Sequence, residues 1–471
     1  MKKQFHLFLL IIMISLGFAF NAQAGSTTYI VVAKNSDSLP VNLDEMTAAM
    51  GGVVTEAMPQ IGVAIVESAN PDFPGTLQRD KSIRAVLPDR MFDLPDGVLN
   101  VAADNPPNSG DDDFFFDLQW GHDAVNAPEA WDAGVTGAGV LVAVLDTGSD
   151  GTHPDLAPNY RADLSTSFLA TPLPNDWHYH GTHTAGTIAA ADNAFGTSGV
   201  APEVEFFGVQ VCGYGGCPAS AIVPGIVYAA DNGADLINMS LGGLDLISGA
   251  KVVKDCKDAG LPMKYCSSLQ SSYIHNEILV FKRAFAYANQ MNTTVIVSAG
   301  NDAVDADHHI LNGQHYPSLR LSFADYPGTI GVSATAPINW CNDPGGDFNY
   351  LTNYSKFGQS AIDFSAPGGQ RWFFPGNTVP CTVAGRTLPS WVFDLVFSSI
   401  PFSFGFGGYA WLTGTSMAAP HVTGVAALII SENGGSMSPA QVLSELRNRA
   451  EDAGKPGHDA EHGFGAVRSG Y

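Results

Sequence analysis

The chain has 471 residues, 45% of them hydrophobic and 14% charged, which is more than one ordinary domain and enough for a large buried core. With 22 basic against 46 acidic residues the net charge is −24. That balance argues against nucleic acid and anionic membranes as partners, because phosphate binding needs lysine and arginine.

The N-terminus reads as a targeting segment. Met1-Lys2-Lys3 supplies a positive start, Leu7 to Phe20 is almost wholly apolar, and Ala22-Gln23-Ala24 has the small-x-small form of a signal peptidase site. Residues 1–24 are therefore expected to be a signal peptide cut after Ala24. No later apolar run reaches the roughly 18 residues of a bilayer span. The mature protein is expected to be secreted (periplasmic in a Gram-negative source), free of the membrane and monomeric. Export permits disulfides, and the spacing of the cysteines suggests nearest-neighbour pairs: Cys212–Cys217, Cys256–Cys266 and Cys341–Cys381.

Residues 25–98 form a first unit. Strand patterns at 28–33, 62–66 and 83–87 and a short helix at 43–50 predict a compact α+β domain. Residues 99–116 follow as a processing linker. Their run Asn105-Pro106-Pro107-Asn108-Ser109-Gly110-Asp111-Asp112-Asp113 has turn chemistry without periodicity. Residues 117–471 read as one body. Strand-like runs at 140–146, 205–211, 236–240 and 294–298 alternate with helical segments such as 219–232 and 280–290. That alternation predicts a parallel sheet covered on both faces, with active residues at the carboxyl ends of its strands.

Four segments of the body carry chemistry. Asp146 ends the apolar run Val140-Leu141-Val142-Ala143-Val144-Leu145. His180 opens a helix whose next turns hold Gly181, Ala185, Gly186, Ala189 and Ala190, small enough to pack tightly and hold a ring fixed. His183, at helical spacing, reads as structural, since no Glu lies between the two histidines as in a zincin helix. Ser416 follows Gly414-Thr415 and precedes an apolar run to Ile430. It should sit at a buried helix N-terminus, where the dipole favours negative charge, and Pro420 is tolerable in a first turn. Asn301 follows the strand Thr294–Ser298 and Ala299-Gly300. A nucleophilic hydroxyl, a base, a carboxylate to orient the base, and an amide donor for an oxyanion are the parts of an acyl-transfer site.

These segments, with Thr152-His153-Pro154-Asp155-Leu156, resemble the subtilisin-like serine protease family, whose chain order is also Asp, His, Ser. The resemblance covers about 117–471 and, more weakly, the N-terminal unit. It implies a three-layer α/β fold with a doubly wound, mainly parallel sheet, preceded by a small α+β ferredoxin-like propeptide acting as intramolecular inhibitor. It implies a serine endopeptidase acting on protein or peptide substrates, with Ser416 as nucleophile, His180 as general base, Asp146 as its orienter and Asn301 in the oxyanion hole. Substrate would lie along Ser240-Leu241-Gly242 and Gly213-Tyr214-Gly215, with Ser298-Ala299-Gly300 as a pocket wall. A structural Ca²⁺ is implied at Asp155 and Asn193 by side chain, and at Ala191, Phe195 and Thr197 by carbonyl. The aromatic segment 370–412 exceeds the family pattern and reads either as a cover over the cleft or as a packed surface loop. An amine in place of water would make the same acyl-enzyme a ligase, and a silent binding protein on this fold is the other alternative.

Overall fold

The computed structural model describes residues 26–92, 112–170, 176–242, 263–308, 310–311, 314–315, 323–370, 378–405 and 407–471, with side chains for all but 263–274 and 310–315. The expected signal peptide, most of the processing linker, Cys256 and the side chain of its expected partner Cys266 lie outside the described residues.

The N-terminal unit runs β1 (Thr27–Ala33), α1 (Leu43–Ala49), β2 (Gly52–Met58), β3 (Val63–Ser68), α2 (Phe73–Leu77) and β4 (Ile83–Pro88). Its antiparallel sheet has the order β2-β3-β1-β4, the ferredoxin-like arrangement expected. Alternation along β1 explains its two duties. Tyr29 and Val31 pack with Leu43, Phe73 and Leu77 in the unit's own core, whereas Ile30 and Val32 join the core of the large body. The sequence did not announce β2 or α2. Most of β2 is exposed and shows no apolar alternation, and α2 is only 5 residues long.

The chain continues through β5 (Met91–Phe92), α3 (Trp120–Ala124), α4 (Ala127–Asp132), β6 (Leu141–Asp146), β7 (Thr166–Ser167), α5 (His180–Ala189), β8 (Glu205–Gln210), β9 (Cys217–Pro218), α6 (Ala219–Asp231), β10 (Leu236–Met239), α7 (Met263–Gln290) and β11 (Thr294–Ser298). After the short pair β12 (Ile310–Leu311) and β13 (Gln314–His315) come β14 (Thr329–Ala336), β15 (Tyr350–Leu351), β16 (Phe364–Pro367), β17 (Pro380–Val383), β18 (Arg386–Pro389), β19 (Val396–Ser399), β20 (Tyr409–Leu412), α8 (Thr415–Glu432) and α9 (Pro439–Arg449).

The main sheet has the order β15-β14-β11-β10-β6-β8-β7, with β16 also on β14. Every pairing is parallel except that of β15. Parallel strands covered on both faces read as continuous apolar runs, as β6 and β11 do. Val142 and Val144 of β6 face a core built with α5 and α8. Ala143 and Leu145 face the opposite core, built with α6, α7 and the N-terminal sheet. The body is thus three-layered, as expected. Helix α8 is buried on all sides from Thr415 to Ile430, which explains why its sequence is apolar all round.

Segment 370–412 resolves largely into packing. It forms the hairpins β17–β18 and β19–β20, and Phe397, Tyr409 and Trp411 build a third core with Trp120 and Met417. The Cys341–Cys381 disulfide ties its first hairpin to the body, and Cys212–Cys217 is also formed.

Candidate active site

Asp146 is the last residue of the central strand β6 and is fully buried. His180 is the first residue of α5, and its Nδ1 lies 2.8 Å from Asp146 Oδ1. Asp146 thereby fixes the tautomer and leaves Nε2 as the basic atom. That Nε2 is buried and has no hydrogen-bond partner among the described residues. Burial works against protonating His180, but the carboxylates of Asp146 and then Asp176 outweigh it, so its proton affinity stands above the ordinary value. Helix and strand approach this closely because residue 181 is glycine. A Cβ there would sit 1.9 Å from the Gly148 carbonyl oxygen. His183 is buried with Nε2 3.2 Å from the Ala410 carbonyl, a structural role as expected.

Ser416 is the second residue of α8. Its hydroxyl donates to the Ser240 carbonyl at 3.1 Å rather than to His180. Such catalytic bonds often tighten only when substrate binds. Pro420 explains a second tie. It has no N–H to give the Ser416 carbonyl four residues back, and that carbonyl instead accepts the Ser240 hydroxyl at 2.8 Å. Asn238 and Thr423 complete the link between the end of β10 and α8. Asn301 Oδ1 accepts from the Thr415 N–H and hydroxyl, at 2.9 and 3.0 Å. With its oxygen held, the side chain presents Nδ2 beside Gly414, where an added Cβ would lie 3.2 Å away. The structure thus gathers Asn301, Ser416 and Ser240 at one end of the sheet, beside the packed helices α5 and α8.

The expected substrate-contacting segments fall around this point. Ser240 and Leu241 follow β10, and Ser298, Ala299 and Gly300 end β11, its neighbour in the sheet. Gly300 N–H donates to Thr415 Oγ1 at 3.0 Å, so this segment abuts the helix that carries Ser416. Gly213-Tyr214-Gly215 lies in a loop closed by the Cys212–Cys217 disulfide, with Tyr214 exposed. The end of that loop, β9, pairs antiparallel with β5 from the N-terminal unit. The same unit caps α6, since Asp89 accepts from the Ser220 N–H at 2.9 Å and from its hydroxyl.

The residues expected to hold calcium gather around Asp155, whose carboxylate meets protein donors. Asp155 is buried, and its Oδ2 accepts from the Thr197 N–H (2.9 Å), the Thr197 hydroxyl (2.9 Å) and the Ser399 hydroxyl (3.2 Å), while Oδ1 accepts from Tyr409 (3.1 Å). Three of these four donors converge on Oδ2 and one on Oδ1, which leaves Oδ1 a further acceptor site. Burial pushes this carboxyl up to about 6 even so. Thr197 meets Asp155 through donors rather than through its carbonyl. Asn193 and Phe195 turn their N–H groups to Asp113 Oδ1, at 3.1 and 2.9 Å, and Ala191 N–H bonds the Asp155 carbonyl at 2.7 Å. A separate acidic trio, Asp112, Asp113 and Asp192, stands beside this loop.

The sequence reading passed over Asp176. It is buried, lies four residues before His180, and accepts from Thr147 Oγ1 (2.7 Å), His178 N–H (3.0 Å) and Thr182 N–H (2.7 Å). A helix-capping acid just ahead of a helix start was the signal available.

Comparison with known proteins agrees with this geometry. The model of the subtilase family matches residues 137–465. Fervidolysin of Fervidobacterium pennivorans is 30% identical over 467 residues, 93% of this chain, which spans 57% of that protein's length. Subtilisin BL of Lederbergia lenta is 32% identical over 340 residues, covering 72% of this chain and 93% of the relative. The epidermin leader peptide processing serine protease of Staphylococcus aureus superposes with a TM-score of 0.68 at 19% identity, covering 94% of this chain and 97% of that one, a likeness of fold.

Proposed function

The chain belongs to the subtilase family of serine endopeptidases, and on that premise we propose that it is a secreted serine endopeptidase made as a proenzyme. Ser416 Oγ attacks the carbonyl carbon of a peptide bond while His180 Nε2 takes its proton. Asp146 holds the ring and balances its positive charge. The Ser416 backbone N–H and Asn301 Nδ2 receive the developing oxyanion. His180 then gives the proton to the leaving amine. Water resolves the acyl-enzyme by the same route in reverse.

The observation that carries this reading is the buried 2.8 Å Asp146–His180 pair with Nε2 left unengaged. The inhibitory role of the N-terminal unit is supported by its β5 strand lying along the Cys212–Cys217 loop and by Arg283, which donates to the Ala33, Asn35, Ile61 and Gly62 carbonyls. Secretion rests on the first 24 residues. Among the described residues no helix is long and apolar enough to cross a membrane. Calcium at Asp155 forms no part of the proposal.

Labelling with a fluorophosphonate tests it. Wild type freed of residues 1–98 should label, and Ser416→Ala should not. An unlabelled wild type would sink the endopeptidase reading.

A further inference from the structure

Two carboxylates, not one, stand at the start of α5. Asp176 is buried, and it accepts hydrogen bonds from neutral donors: Thr147 Oγ1, His178 N–H and Thr182 N–H. Each partner belongs to the catalytic frame. Thr147 follows Asp146, its N–H donates to Asp146 Oδ1 at 2.7 Å, and its hydroxyl accepts the Gly181 N–H at 3.0 Å. One threonine thus touches both carboxylates and the residue after His180. The bond from His178 N–H closes a turn that leads into Tyr179, which holds a left-handed φ of 70°. Such a backbone is unfavourable for a non-glycine residue and needs surrounding bonds to persist.

We propose that Asp176 is a positioning residue of the hydrolytic centre: through Thr147 it locks the Asp146 loop to the start of α5, and its negative charge offsets the positive end of that helix at His180. The proposal rests on the endopeptidase reading of the site. Its physical core is a conflict. A helix N-terminus carries roughly half a positive charge, which opposes protonation of a histidine placed there. Catalysis requires that histidine to become an imidazolium. Asp146 answers this from the strand side and Asp176 from the helix side. Among the described residues the remaining ionisable neighbours are His178, whose ring centre is 6.4 Å away, and His183 on the same helix, and neither supplies negative charge.

The test is Asp176→Asn, which keeps the side-chain shape and one acceptor oxygen but removes the charge. Mature wild type and variant are compared by kcat, KM and the pH profile of kcat/KM on a peptide amide, with thermal unfolding alongside. The variant should lose about tenfold or more in kcat with KM little changed, within the range general-base catalysis supplies. The acid limb of its profile should move to lower pH, because His180 loses one of the charges that favour its protonated form. A variant that fails to mature is assayed instead after the propeptide is removed by an added protease. A profile superimposed on wild type overturns the proposal. So does a kcat loss that tracks lost thermal stability with the acid limb unmoved. Inactive, unlabelled wild type would indict the endopeptidase reading instead.

Discussion

Adding one methyl group at Gly181 should disable the enzyme without touching a catalytic side chain. A Cβ at this position would lie 1.9 Å from the Gly148 carbonyl oxygen and 3.0 Å from Asp146 Cβ. An ordinary contact begins at 3.4 Å, so helix and loop must part by about 1.5 Å to relieve the overlap. The atom in the way is backbone, and no rotamer change removes it. The His180–Asp146 bond is 2.8 Å in the native arrangement. It cannot survive a displacement of that size, because a hydrogen bond weakens steeply beyond about 3.2 Å. A misplacement of about 1 Å costs on the order of 10²-fold in rate, and overpacking costs about 1–3 kcal/mol of stability. Gly181→Ala should therefore stay folded with kcat, and with it the rate of fluorophosphonate labelling, reduced at least about 10²-fold and KM changed far less. Gly345→Ala, where nothing lies within 4 Å, is the control. Should Gly181→Ala keep kcat within about threefold of wild type while remaining folded, the claim that this contact sets catalytic geometry is wrong.

Asn301→Ala should lower kcat about 10²- to 10³-fold with little change in KM; an equal rise in KM would mean that Asn301 holds substrate instead. The buried histidines make acid costly. Burial first, then repulsion from His180, lowers His183 to about 3, so its contribution is present above about 6.5 and is lost as pH falls toward 3. In a Ser416→Ala background, denaturant unfolding should show His183→Gln gaining on the parent by about 1.4 kcal/mol per unit as pH drops from 6 to 4. A constant gap would refute this. Chelation should matter little at the 191–197 loop. A Ca²⁺ site at hundredfold saturation would contribute about 2.7 kcal/mol, about 3–4 °C in Tm for a body of this size. A fall of that size on adding EDTA to the Ser416→Ala proenzyme would show that Asp155 is not sated by its protein donors.

What could be read from the sequence was what short range encodes. Asp146 announces itself because an apolar strand must end at the sheet's edge, and Ser416 because an all-apolar helix must begin somewhere. The parallel sheet followed from alternating apolar runs and helical segments. Elements β2 and α2 were missed because one is mostly exposed and the other has only 5 residues, leaving no periodicity to detect. Asp155 was visible as a motif, but the donors that occupy it are not local. Ser399 and Tyr409 arrive from 244 and 254 residues further on, through the segment that departs from the family pattern. No spacing rule could have revealed that hydroxyls from so far along the chain meet this carboxylate. Asp176 was hidden differently: it sits in an irregular loop, and its meaning comes only from Thr147, brought to it across 29 residues.

The two helix starts at this site ask opposite things of the chain. On the proposed mechanism an oxyanion forms beside Ser416 at α8, so a positive helix end helps, and no acidic residue stands in its first turn. At α5 the chemistry creates an imidazolium on His180, so the same positive end hinders. Here two buried carboxylates face the helix start, one from β6 and one from the preceding turn. Both charges are costly to bury: Asp176's carboxyl is raised by desolvation despite its hydrogen bonds. A fold selected for stability alone has no use for a second buried acid held by neutral donors. Its place next to the one helix end whose polarity opposes the reaction gives that expense a reason.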